Sequence, residues 1–156
     1  MIDRKRSTDI KHSLLHFPIT TILGPRQCGK STLAKAIIAE LAPEGVYLDL
    51  ERPSDLQKLE DAEWFLSSQK GKLICLDEIQ RKPELFPVLR ALVDAEESKG
   101  QFLLLGSASR DLIKQSSESL PGRIIYQKLT PFLWSEINHA TSLESYMIKG
   151  GFPPSI

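Results

Sequence analysis

Residues 24 to 32 read Gly-Pro-Arg-Gln-Cys-Gly-Lys-Ser-Thr, a complete GxxxxGK[ST] pattern. The chemistry this suits is the cradling of phosphate. Gly24 and Gly29 bracket Pro25, Arg26, Gln27 and Cys28, and a glycine at each end lets the backbone wrap closely round an anion with its N–H groups turned inward. The loop runs into a helix, whose N-terminal N–H groups and dipole favour negative charge. In that frame Lys30 would reach the β- and γ-phosphates, Ser31 would place a hydroxyl on Mg²⁺, and Thr32 would bond the α-phosphate. The competing reading is a chance match in a glycine turn, which the strand before and the helix after weigh against. Cys28 contributes its backbone amide. Its thiol, beside a lysine and a helix N-terminus, also has the setting for a lowered pKa and a redox role.

A second constellation is Leu73-Ile-Cys-Leu-Asp-Glu78. Asp77 follows an apolar strand, where a carboxylate at the carboxyl edge of a sheet can hold Mg²⁺ through water. Glu78, one step on, can take a proton from an attacking water or orient it, so the pair favours hydrolysis over binding alone. The alternative is an acidic pair that caps the next helix. Ser107, after a fourth strand, can bond the water or the γ-phosphate if that strand lies between the first and third; Ser107 and Ser109 are equally plausible as helix caps. Asp49 and Glu51 read as surface acids.

These residues need elements to hold them, and the pattern supplies an alternation. An amphipathic helix is predicted over 7–16, ended by Pro18, followed by a β-branched strand over 19–23 that runs into Gly24. Apolar positions 33, 36, 37, 38 and 41 repeat at helical spacing until Pro43 and Gly45. Strands are predicted over 46–50, 72–76, 101–105 and 123–129, with helices over 53–65, 83–97 and about 110–118. Short and almost wholly apolar strands separated by helices imply a parallel sheet covered on both faces, a three-layer α/β domain.

The chain has 156 residues, which suits one compact domain, and its 20 basic and 20 acidic residues cancel. No global field draws it to nucleic acid or an anionic membrane. The Arg4-Lys5-Arg6 cluster reads as a solvated terminal segment. Two cysteines without metal or CxxC spacing, no signal-like segment and no apolar run long enough for a bilayer point to reduced thiols and a cytoplasmic protein.

The segments GPRQCGKSTL, LICLDEIQ, LLLGSAS, SLPGR, the Leu129 to Glu136 stretch and Gly-Gly-Phe-Pro together resemble the N-terminal ATPase part of prokaryotic AAA+-like proteins that carry a C-terminal DUF4143 domain. The resemblance covers about residues 12 to 154. It makes Gly24 to Thr32 the Walker A loop, Asp77 and Glu78 the Walker B pair and Ser107 the polar sensor. It implies the sheet order 5-1-4-3-2 and ATP with Mg²⁺ as ligands, with ATP preferred over GTP. It also implies a role for Arg123, which in similar folds projects into a neighbour's nucleotide site, so a homo-oligomer or an unidentified protein partner is anticipated. A salt bridge or solvated surface is the equal alternative for Arg123. Because family members continue past Gly-Gly-Phe-Pro, the expectation is a P-loop core over 1–156 that lacks their helical lid and effector domain.

The functions that follow are Mg²⁺-dependent ATP hydrolysis or, from another class, a nucleotide-gated binding module with little turnover. A small-molecule kinase is disfavoured by Glu78 and by the lack of an arginine-rich lid segment. His12 and His16 lack a third ligand and read as polar surface. Trp64 and Trp134 read as packing residues.

Overall fold

The computed structural model describes residues 4–155. Helix α1 (Arg6–His16) precedes β1 (Ile19–Leu23), and the glycine loop then leads into α2 (Lys30–Leu41). Next come β2 (Val46–Asp49), α3 (Pro53–Lys58), α4 (Ala62–Ser68) and β3 (Ile74–Asp77). A short 3-10 turn (Ile79–Arg81), α5 (Leu85–Ala95), β4 (Phe102–Gly106), α6 (Arg110–Ser119) and β5 (Ile124–Lys128) complete the alternation. After β5 the chain forms two short helices, α7 (Trp134–Ile137) and α8 (Leu143–Lys149), and a last 3-10 turn (Pro153–Ser155).

All strand pairs are parallel, and the order β2-β3-β4-β1-β5 is the anticipated order read from the other edge. Side chains alternate across the pleat, so each strand feeds two cores. Ile19, Leu23, Ile74, Leu76, Phe102 and Leu104 pack with Leu59 of the turn after α3 and with Leu66, Phe86, Leu89 and Leu112 of α4 to α6. On the other face Ile22, Cys75, Leu103 and Leu105 meet Ile10 and Leu14 of α1 and Leu33, Ala34 and Ile37 of α2. Strand β4 is central, and Leu103, Leu104 and Leu105 are fully buried. At roughly 1.5–3 kcal/mol per buried leucine side chain, this strand holds its carboxyl end, and therefore Ser107, on a rigid support.

Three expectations change. The helix predicted over 53–65 is two helices, because Asp61 turns back to accept the Trp64 N–H at 3.2 Å and starts α4 as an N-cap. The break also turns Trp64 outward: it is 68% exposed, not a packing residue. Strand β3 is shifted and includes Asp77, its last residue. Trp134 is half-buried and lies against the Tyr146 ring.

Candidate functional site

Gly24, Asp77 and Ser107 leave the sheet at one edge, since β1, β3 and β4 are parallel and adjacent in the order β3-β4-β1. The condition set for Ser107, that its strand lie between the first and third, is met. The Gly24 N–H donates to the Gly106 carbonyl at 3.2 Å and ties the loop to the end of β4. A Cβ on Gly24 would collide with the Leu129 carbonyl, and Gly29, with φ of +96°, sits in the left-handed region as it caps α2. Both glycines are therefore required by the path of the loop. Ser109 caps α6 by accepting from the Leu112 N–H at 3.2 Å, so of the two serines only Ser107 is left for the edge.

Lys30 is buried, and its Nζ donates to the carbonyls of Gly24 at 3.0 Å and Pro25 at 2.8 Å. The ammonium is thus folded back over its own loop, where phosphate oxygens would replace the two carbonyls. Asp77 is 4% exposed; its Oδ2 accepts from the Ser31 hydroxyl at 2.6 Å and from the Tyr47 hydroxyl. Its Oδ1 is buried and has no hydrogen-bond partner among the described residues. An orphaned carboxylate oxygen beside a serine hydroxyl suits a hydrated hard cation, which takes oxygen ligands. The described residues contain no cluster of three His, Cys, Asp or Glu side chains that could hold a metal by themselves. The donor set therefore fits Mg²⁺ shared with a phosphate, with Ser31 and Asp77 as the residues that would hold it.

Tyr47 of β2 went unnoticed in the sequence. Burial and its hydrogen bond to Asp77 push the Tyr47 phenol well above its ordinary pKa, so it remains a donor to the carboxylate. The Lys35 ammonium lies 4.6 Å from its ring centre. Burial and the Asp77 charge likewise hold the Cys75 thiol in its neutral form.

Glu78 follows at the rim with φ of 59° and ψ of 46°, a left-handed conformation that costs a non-glycine residue of order 1 kcal/mol. Its carboxylate accepts from the Gln80 side-chain amide. With Gln27, Lys30, Ser31 and Thr32 it lines a hollow of about 400 Å³, and Pro153 and Pro154 from the final turn close one side. A narrower cavity of about 180 Å³ adjoins it, sharing Gly29, Thr32 and Pro153 and adding Arg4, Leu33 and Phe132. Arg26 reaches out to Glu51, 3.9 Å away, and Glu51 also accepts from Arg81 at 3.0 Å, in keeping with a surface acid.

Two expectations fail here. Burial raises the Cys28 pKa despite the nearby Lys30 and Arg4 charges, and the thiol faces the Leu129 carbonyl; the lowered pKa needed for a redox role is absent. Arg4 is not part of a solvated segment: it is 6% exposed and bonded to Glu136, Cys28 and Thr130.

Arg123 is not brought to this edge. It precedes β5, its carbonyl accepts from the Ile19 N–H at the amino end of β1, and its guanidinium grips both oxygens of Asp94 at 2.6 and 3.0 Å. That hydrogen bond holds the Asp94 carboxyl below its usual range.

Residues 16–138 match the family described as AAA domain. Among curated proteins, the chain is 40% identical over 152 residues to uncharacterized proteins of Mycobacterium bovis and Mycobacterium tuberculosis, covering 97% of this chain and 34% of theirs. It thus spans about a third of the length of those relatives. Among solved structures, a Walker-type ATPase of Pyrococcus abyssi matches 98% of this chain and 65% of its own, with a TM-score of 0.62 and 20% identity. Cdc6p from Pyrobaculum aerophilum matches 88% of this chain and 49% of its own, with a TM-score of 0.54 and 13% identity. No helix among the described residues is long and apolar enough to cross a membrane.

Proposed function

Because the chain belongs to the AAA domain family, matched over residues 16–138, we propose that it binds ATP with Mg²⁺ in the 24–32 loop and hydrolyses it. The observation that carries this reading is the Ser31 to Asp77 hydrogen bond, which joins the phosphate loop to the end of β3 and leaves beside it a buried carboxylate oxygen with no partner among the described residues. The N–H groups of the loop and of the first turn of α2 would take the phosphates, and the Lys30 ammonium would exchange its two carbonyls for phosphate oxygens. Ser31 and Asp77 would hold Mg²⁺, which would supply neutralisation of the phosphate charge. Glu78 would take the proton of the attacking water, and Ser107 would hold that water or the γ-phosphate. The 180 Å³ cavity beyond Thr32 has room and apolar walls for the base, with Phe132 and Leu33 at its sides.

Arg123 would act only on a neighbouring copy, and only after release from Asp94. Two buried free thiols, Cys28 and Cys75, suit a reducing cytoplasm. The Walker-type ATPase of Pyrococcus abyssi supports this reading as an analogy of fold.

A second reading, a nucleotide-gated module with little turnover, is favoured by the bond that ties Glu78 to Gln80, since a tethered carboxylate is not free to meet water. Phosphate release from ATP separates the two. Release by the wild-type chain that falls at least about a hundredfold in Glu78→Gln, with ATP still bound, supports hydrolysis. Tight binding with no release from either supports the gated module.

A further inference from the structure

Arg4 is the only buried arginine among the described residues, and all its bonds converge behind the phosphate loop. One terminal nitrogen donates to the Glu136 carboxylate at 3.2 Å; the other donates to the Cys28 carbonyl and, at 2.8 Å, to the Thr130 carbonyl. Its guanidinium carbon lies 4.0 Å from the centre of the Phe132 ring. Glu136 is itself fixed, since it accepts from the N–H groups of Lys5 at 3.0 Å and Leu133 at 2.8 Å. Three separate stretches of chain thus meet on one guanidinium: the start of the described chain, the phosphate loop and the segment after β5.

The contact with Cys28 has a geometric consequence. A trans peptide sets its C=O and N–H on opposite sides of one rigid plane, so pinning the Cys28 oxygen also fixes the direction of the Gly29 N–H. That N–H points away from Arg4. Gly29 is left-handed and Lys30 begins a right-handed helix, an alternation that makes successive N–H groups converge on an anion. A buried cation stabilises a fold poorly compared with an apolar side chain of similar size, so packing alone gives little reason for an arginine here.

We propose that Arg4 is a positioning residue for the phosphate loop, aiming the Gly29 N–H at the phosphates through the Cys28 carbonyl and making nucleotide affinity depend on the segment after β5. The inference rests on the nucleotide reading of the 24–32 loop. The coupling runs through contacts already present. Thr130, Phe132 and Glu136 hold Arg4, the Phe132 N–H donates to the Gly151 carbonyl, and the Tyr146 hydroxyl donates to the Phe132 carbonyl at 2.9 Å. Pro153, two residues beyond Gly151, walls both the 400 Å³ hollow and the narrower cavity. A partner or a further part of the chain that moved this segment would turn the loop amide from outside the nucleotide site, shifting Phe132 and Pro153 at the cavity wall as it did so.

The test measures ADP affinity in Mg²⁺ by calorimetry, melting temperature, and the ADP-induced shift of the Gly29 amide resonance in wild type, Arg4→Lys, Arg4→Met and Glu136→Gln. Lysine keeps the charge but cannot span the three acceptors. The expected result is an affinity loss of about tenfold or more in Arg4→Met, a smaller loss in Arg4→Lys and Glu136→Gln, and a Gly29 shift reduced in the same order. Arg6→Met, at an exposed arginine paired with Asp9, should match wild type. Folded variants that bind ADP with wild-type affinity and a full Gly29 shift, whatever their melting temperatures, overturn the proposal. Should Arg4→Met fail to fold, Arg4→Lys and Glu136→Gln carry the same comparison. Failure of the nucleotide reading looks different: wild type does not bind ADP, or Lys30→Ala binds it as tightly as wild type, and the proposal falls with that reading.

Discussion

The two edges of the sheet carry hollows of similar size, about 400 Å³ at the carboxyl edge and about 430 Å³ at the amino edge, but they differ in what their polar groups are left to do. At the amino edge, among Leu66, Lys70, Ile74, Leu92 and Phe102, the buried or half-buried polar groups Gln101 and Glu96 are taken up by the turns themselves. The Gln101 side-chain amide donates to the Glu96 and Ser98 carbonyls at 2.7 and 2.9 Å, and Lys70 faces Glu96. Arg123, at the same edge, is held by Asp94. At the carboxyl edge there is a surplus: a buried ammonium resting on its own loop's carbonyls, a buried carboxylate oxygen without a partner among the described residues, and a glutamate in a strained conformation. Volume does not distinguish the two hollows. Convergent, under-used polar groups do, and parallel strands deliver them to the carboxyl edge because the loops that follow the strands all begin there.

The sharpest way to break this contrast is to remove the ammonium. Lys30→Ala should weaken ATP binding by about tenfold to a hundredfold, the value of a charge-assisted bond to phosphate, while Lys70→Ala at the amino edge should leave it unchanged. Equal effects in calorimetry would erase the distinction. Asp77→Asn comes next. It should remove most of the Mg²⁺ dependence of ATP binding, read as the affinity ratio with and without EDTA, because the oxygen left to a cation is then an uncharged amide's.

Tyr47→Phe is subtler. It removes one neutral donor from Asp77 and nothing else, worth about 1 kcal/mol, and should shift the Mg²⁺ concentration for half-maximal ATP binding by a few-fold. The smallest effect is expected from Arg123→Ala, which should leave nucleotide binding by a single chain as it is. Asp94 is held low by Arg123, so what the pair adds to stability is present above the unfolded carboxyl value of about 3.9 and lost as pH falls through the lower folded value. The melting-temperature difference between Arg123→Ala and wild type should therefore be slight at neutral pH and vanish in acid.

What could be read from the residues alone follows the range of the interactions. The strand, glycine loop and helix over 19–41 are local, and the apolar runs and Gly-Lys-Ser-Thr cluster placed them within a residue. The carboxylate at the end of β3 was equally plain, since a charge after Leu73 to Leu76 has few other places to go. Arg4 was not, because its partner Glu136 lies 132 residues away and nothing local marks a terminal arginine as buried. Tyr47 was hidden for a related reason: only strand order brings β2 beside β3, and the order came from resemblance, not spacing. The break between α3 and α4 was legible in principle, as Asp61 three residues before Trp64 is an N-cap signal that the apolar periodicity of 53–65 masked. Arg123 shows the converse, a residue type that suits the chemistry but lies at the amino edge of its own sheet, paired with Asp94, so that within one chain it is far from the phosphate loop's edge.

The most direct measurement is a calorimetric titration of the purified chain with ATP and Mg²⁺. The expected result is one site per chain, displaced by ADP and weakened in Lys30→Ala. A chain that takes up no ATP, or whose binding survives the loss of Lys30 unchanged, would contradict a phosphate cradle between residues 24 and 32.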